Sequence, residues 1–120
     1  RDSMSQASGA TGKVKTVFAD FNHAKQNWPG AIYEEFSGDV YVTIDLDVFD
    51  PAIMPSTGTP EPGGLTWRDV LGLLRGLSHR CRIRAFDVVE LAPIPGLVAP
   101  DFLAAKLIYR LMGYLMTASL

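Results

Sequence analysis

Asp45 and Asp47 stand one residue apart at the end of the β-branched run Val40-Tyr41-Val42-Thr43-Ile44. Two carboxylates so spaced offer hard oxygen ligands, which suit Mg, Mn or Ca better than a metal that prefers thiolate. Successive side chains of a strand point to opposite faces, so the pair shares one face if the backbone stays extended past Ile44. The same three residues also fit a polar strand end or an Asx-type turn. The sequence continues P-A-I-M-P-S-T-G-T-P-E-P-G-G-L over residues 51–65, a stiff, irregular loop at the carboxyl end of an apolar strand. Open α/β sheets usually build their sites there.

The elements that must hold these residues can be read around them. Thr66 is a helix N-cap with Asp69 three residues on, a relative of the capping box, and Val70, Leu73, Leu74 and Leu77 form an amphipathic stripe ending near Arg80. Residues 83–91 read as the next strand, ending on Glu90. Two strands joined by a loop and a helix form a βαβ unit with both carboxyl ends on one sheet edge, so Asp45, Asp47 and Glu90 converge. A final helix is expected from Pro100, with Ala104, Leu107, Ile108, Leu111 and Leu115 as its buried stripe. Upstream, residues 1–13 read as a flexible lead-in, 15–21 as a strand, Trp28-Pro29-Gly30 as a turn and 31–36 as a short helix.

Several stretches together resemble the ureohydrolases of the arginase and agmatinase type, with the agmatinases most similar. They are Thr43-Ile-Asp45-Leu-Asp47-Val-Phe-Asp50-Pro51, then Pro55-Ser-Thr-Gly58-Thr59-Pro-Glu61-Pro-Gly63-Gly64-Leu65, and Phe86-Asp87-Val-Val-Glu90. The helix Asp101-Phe-Leu-Ala-Ala-Lys106-Leu-Ile-Tyr109 and the opening Arg1-Asp2-Ser3-Met4-Ser5 are similar to agmatinase segments as well. The resemblance implies an α/β, three-layer αβα fold with a parallel sheet, of which residues 1–120 are the C-terminal part. It implies a dinuclear manganese hydrolase that splits the guanidino group of agmatine into urea and putrescine. Asp45 is then the ligand bridging both ions, Asp47 a ligand of one, Thr59 part of the substrate pocket and Glu90 the partner of the guanidinium. Two metals activating one water and a carboxylate pairing with a cationic guanidinium make chemical sense.

The family's other metal ligands lie in Gly-Gly-Asp-His and Asp-Ala-His-x-Asp segments, which are absent here, as is its proton-shuttling histidine. No catalytic acid or base is therefore assigned within the chain, and the 120 residues alone are expected to bind manganese weakly and to turn over no substrate. A catalytically dead remnant serving binding or assembly is the alternative, as is another guanidino substrate such as arginine or guanidinobutyrate. His23 and His79 match no family position and read as surface or helix-end residues. Asp50, which precedes Pro51, is expected to cap its own turn. Glu61 is expected at the pocket rim, and Asp87 in a hydrogen bond behind the site.

Composition narrows the remaining classes. The chain has 48% hydrophobic residues, enough for a core, and a formal net charge of −2, which favours neither nucleic acid nor an anionic membrane as partner. A single cysteine, Cys81, excludes an internal disulfide and fits a reducing cytoplasmic setting. A haloacid-dehalogenase phosphatase is disfavoured by Phe49 two positions after Asp47, and an EF-hand by the spacing Asp45-x-Asp47-x-x-Asp50. Strands that lack upstream neighbours expose backbone donors and apolar faces, so the chain is expected to be a homo-oligomer acting on a small guanidino molecule.

Overall fold

The computed structural model describes residues 28–34 and 36–118. In chain order these form α1 (Trp28–Tyr33), β1 (Asp39–Asp45), a 3-10 turn (Leu46–Val48), α2 (Trp67–Arg80), β2 (Arg82–Val89) and α3 (Ala99–Ala118). The strand expected at 15–21 and the lead-in at 1–13 lie outside the described residues. Helix α1 begins at Trp28, so Trp28-Pro29-Gly30 opens a helix where a turn was expected. Proline near the start of a helix loses no hydrogen bond, because the first amides have no intrahelical partner.

β1 and β2 pair in parallel. Val40 is opposite Ile83, but Tyr41 is opposite Ala85, so Arg84 is an extra residue in β2. That irregularity reconciles the apolar pattern of β2, where Ile83 is odd-numbered and Phe86 and Val88 are even. All three pack on the core alongside Val42 and Ile44. Beyond the bulge the register is Val42 with Phe86, Thr43 with Asp87, Ile44 with Val88 and Asp45 with Val89.

Both long helices cover that apolar face. Val70 and Leu74 from α2 and Ala104, Leu107 and Leu111 from α3 join Ile44, Leu46, Phe49, Met54 and Leu65 in one cluster. Leu107, Leu111 and Leu46 are wholly buried. At about 1.5–3 kcal/mol per buried large side chain, this cluster is the main source of cohesion. Ile108 differs from expectation: it is 36% exposed, because the inward stripe of α3 runs through 104, 107 and 111. The opposite face of the strand pair, carrying Tyr41, Thr43, Asp45, Ala85 and Val89, is exposed. The described residues thus make two layers of the three expected.

Local signals start and stop the elements. Thr66 Oγ1 accepts from Asp69 N and the Asp69 carboxylate accepts from Thr66 N, a complete capping box on α2. At its other end, His79 and Arg80 occupy the last turn, favourable for the helix dipole, and Cys81 is a buried free thiol. Tyr33 lays its ring over Gly76 and donates from its hydroxyl to Gly72 O at 3.0 Å, which joins α1 to α2. Partial burial pushes its phenol pKa up. No helix among the described residues is long and apolar enough to cross a membrane.

Candidate active site

β1 ends at Asp45, and the backbone then tightens into the 3-10 turn, so of the two conformations the spacing allowed the extended one is not taken. The cause is local. Asp45 Oδ1 accepts the Asp47 amide at 2.9 Å, so Asp45 is the N-cap of that turn, the Asx arrangement the spacing also allowed. This cap, and not strand alternation, sets how Asp47 follows Asp45. Leu46, between them, is wholly buried and anchors the turn in the core.

The loop over residues 51–65 folds back on the turn. Asp50 organises it: Oδ1 accepts from Ala52 N at 2.9 Å and Oδ2 from Gly63 N at 3.1 Å, while Asp50 O takes the amides of Ile53 and Met54. This is the structural role expected of Asp50, extended to the far end of the loop. Leu65 N donates to Val48 O at 2.8 Å and Asp50 N to Leu65 O at 3.0 Å, closing an isolated parallel bridge between Phe49 and Leu65. Phe49 is buried and stacks on Trp67 with centroids 6.3 Å apart. Glu61 is exposed.

Held at both ends, the loop delivers Thr59 to Asp47, where Thr59 Oγ1 donates to Asp47 Oδ2. The other oxygen, Asp47 Oδ1, is buried and has no hydrogen-bond partner among the described residues. A buried carboxylate oxygen without a donor is costly, and a cation is the ligand that would satisfy it. Asp45 and Asp47 therefore fit part of the oxygen shell of a hard divalent ion. No group of three His, Cys, Asp or Glu among the described residues completes such a shell.

Glu90 follows β2 directly and has a φ of 66°, the one non-glycine residue with positive φ among those described. The strand thus stops at Val89, one residue short of the carboxylate expected to close it. A left-handed residue leaves the alternation of the strand and turns its side chain away from the pleat, at a cost of about 1–3 kcal/mol, and such strain gathers at functional sites. The loop reaches it too. Ala92 N donates to Ser56 O at 2.8 Å, and a Cβ placed on Gly58 would stand 3.7 Å from Glu90 Oε2. One loop therefore bonds to Asp47 through Thr59 and to the segment after Glu90 through Ser56, with Gly58 running beside the Glu90 carboxylate.

Asp87 accepts from Thr43 Oγ1 at 2.6 Å and from Tyr41 OH. These bonds hold its carboxyl below the usual range, while the bond from Tyr41 to Asp87 pushes the phenol up. The hydrogen bond expected for Asp87 is present, but its donors Tyr41 and Thr43 were not singled out from sequence. Their parity with Asp45, two and four residues upstream on one strand face, was the available signal. His79 is exposed at the end of α2, as expected of a helix-end residue. His23 lies outside the described residues.

A parallel strand pair ending in carboxylates beneath a proline-rich loop, with helices on one face, is the geometry of part of a ureohydrolase. The model of the Arginase family matches residues 16–113, and the chain belongs to that family. It is 47% identical over 89 residues to N(1)-aminopropylagmatine ureohydrolase of Synechocystis sp., covering 73% of this chain and 29% of that protein. It is 42% identical over 74 residues to the agmatinase of Pyrococcus horikoshii, covering 62% of this chain and 26% of that protein. Proclavaminate amidino hydrolase from Streptomyces clavuligerus superposes with a TM-score of 0.68 at 39% identity, over 75% of this chain and 30% of that one. The fold is arginase-like, and the chain spans under a third of the length of these relatives.

Proposed function

We propose that residues 1–120 form the C-terminal part of a metal-dependent ureohydrolase of the agmatinase type, which hydrolyses the guanidino group of agmatine to urea and putrescine. The observation that carries this reading is the unpartnered, buried Asp47 Oδ1 beside the Asp45 cap, on a turn that the loop over residues 51–65 joins through Thr59. Asp45 and Asp47 would hold manganese together with imidazole and carboxylate ligands supplied from elsewhere in the complete enzyme. When bound, the metal supplies the Lewis acidity that makes water a nucleophile at neutral pH.

The chain's own residues bind and orient. Thr59 fixes the rotamer of Asp47 through its hydroxyl and borders the space where a substrate would lie. Glu90, exposed and turned out of the strand, pairs with the guanidinium by charge-assisted hydrogen bonds, which presents the electrophilic carbon toward the Asp45 and Asp47 side. The net reaction adds one water across the C–N bond: its oxygen becomes the urea carbonyl and its two protons end on urea and the amine.

Agmatine, N(1)-aminopropylagmatine and arginine share the guanidino group and differ in what is attached to it. The deciding experiment supplies the complete enzyme with manganese and measures urea release from agmatine, N(1)-aminopropylagmatine and arginine. Turnover of agmatine or its aminopropyl derivative in preference to arginine is the expected result. Metal uptake without urea release from any of the three, or from guanidinobutyrate, would refute the enzymatic reading and favour a binding or assembly module.

A further inference from the structure

Asp87 has both carboxylate oxygens occupied by hydroxyls of the neighbouring strand. Thr43, its direct partner in the parallel ladder, donates to Oδ1 at 2.6 Å, and Tyr41, the partner of Ala85, reaches diagonally to Oδ2. Among the described residues this face is held by these hydroxyl–carboxylate bonds and not by apolar packing, with Tyr41 62% exposed and Thr43 and Ala85 exposed as well. The cluster lies in the ladder between two distinctive points. Upstream is the bulge at Val40 and Tyr41, where β2 carries an extra residue; downstream is the last pair, Asp45 with Val89, followed at once by Glu90.

The apolar contacts of the other face cannot hold that register alone. Val42 with Phe86 and Ile44 with Val88 specify which side of each strand is buried, but a pattern of period two is satisfied again after a slip of two residues. A bulge is the place where a strand takes up such a change. A slip of two residues would move Glu90 by roughly 6–7 Å along the strand relative to Asp45. Directional bonds from two hydroxyls to one carboxylate are met in a single register only.

We propose that Asp87 is a positioning residue of the site: by accepting from Tyr41 and Thr43 just beyond the bulge, it locks the axial register at which Asp45 and Glu90 leave the sheet. The separation between the metal-side and guanidinium-side carboxylates is thereby set from behind, without Asp87 touching substrate. The catalytic part of this statement rests on the ureohydrolase reading above, whereas the register part does not.

The test uses the complete enzyme with Asp87→Asn, Thr43→Val, Thr43→Ser and the Asp87→Asn/Thr43→Val double variant, followed by amide hydrogen exchange and by urea release. Asp87→Asn and Thr43→Val are expected to speed exchange in residues 86–91 while leaving 82–84 as in the wild type. Each should lower kcat/KM about 10–100-fold, the usual effect of losing a group that orients a ligand from behind. The double variant should be little worse than either single one, as for residues acting through one interaction. Thr43→Ser, which keeps the hydroxyl, should recover most of the loss. If the wild type releases no urea, the functional reading falls, and the exchange pattern alone decides the register. Unchanged exchange over 86–91 in Asp87→Asn overturns the proposal. So does exchange accelerated equally along the whole strand, with activity following the thermal midpoint in all four variants, since that marks general destabilisation.

Discussion

Gly64→Ala should be among the most damaging single-methyl additions in this chain. The conformation of Gly64 is open to any residue, since its φ is not in the left-handed region; the obstacle is space. A Cβ at that position would overlap backbone atoms of Phe49 and Asp50, which cannot rotate away as a flexible side chain would. Relief requires the chain on one side of the Phe49–Leu65 bridge to move, breaking the bonds from Leu65 N to Val48 O and from Asp50 N to Leu65 O. Two net backbone bonds at about 1 kcal/mol each and about 1–3 kcal/mol of overpacking give a loss of roughly 3–5 kcal/mol. Against a typical domain stability of about 5–15 kcal/mol, that is a large fraction. Urea unfolding followed by the fluorescence of Trp67, which stacks on Phe49, reads the loss as a lowered midpoint. Gly72→Ala is the matched control: this exposed position in α2 has open space around it, and alanine there should stabilise by about 0.5–1 kcal/mol. A Gly64→Ala loss below about 1 kcal/mol would refute the argument, because a loop closure able to accommodate the methyl could not be the rigid clasp that places Thr59 on Asp47.

Asp45→Asn and Asp47→Asn should leave unfolding stability within about 1 kcal/mol of wild type, since Asn at 45 still caps the turn. Both should lose metal and activity in the complete enzyme, with Asp45→Asn the more severe as the proposed bridging ligand; equal metal retention by mass spectrometry would sink that assignment. Glu90→Gly should gain about 1 kcal/mol in stability by relieving its left-handed backbone while raising KM for a guanidino substrate steeply. If thermal stability falls instead, Glu90 is contributing to the fold and not to binding. Asp87 provides a pH signature: its folded carboxyl titrates below the usual value, so its contribution is complete above about pH 4 and is lost as pH falls through the lowered folded value. Denaturation midpoints measured from neutral pH downward should therefore decline less in Asp87→Asn than in wild type, and parallel declines would contradict the assignment.

Much of this fold is written in short-range chemistry, and there the residues were legible. Thr66 with Asp69 defines the start of α2 because both partners of the capping box lie within one turn. The stripe of Val70, Leu73, Leu74 and Leu77, of which all but the half-buried Leu73 are buried, and the β-branched run before Asp45 declare their periods openly. The family resemblance of residues 43–65 also needs no coordinates, being carried by residue identity. Where sequence reasoning left a choice open or went astray, the packed structure decided. Asp45 to Asp47 fits both an extended strand end and an Asx-type turn by residue type, and the capture of the Asp47 amide by the Asp45 side chain decides for the turn. Ile108 fits the helical period of the inward face of α3, yet the buried stripe runs through 104, 107 and 111 and leaves Ile108 at its margin. The site depends most on what no local pattern encodes: the bulge that puts Arg84 out of register, the hydroxyls of Tyr41 and Thr43 on Asp87, and a loop closing on Gly64 so that Thr59 meets Asp47. Each joins residues far apart in the chain, where pairing depends on the packed arrangement of both strands and the loop, and residue type alone offers many partners of equal chemistry.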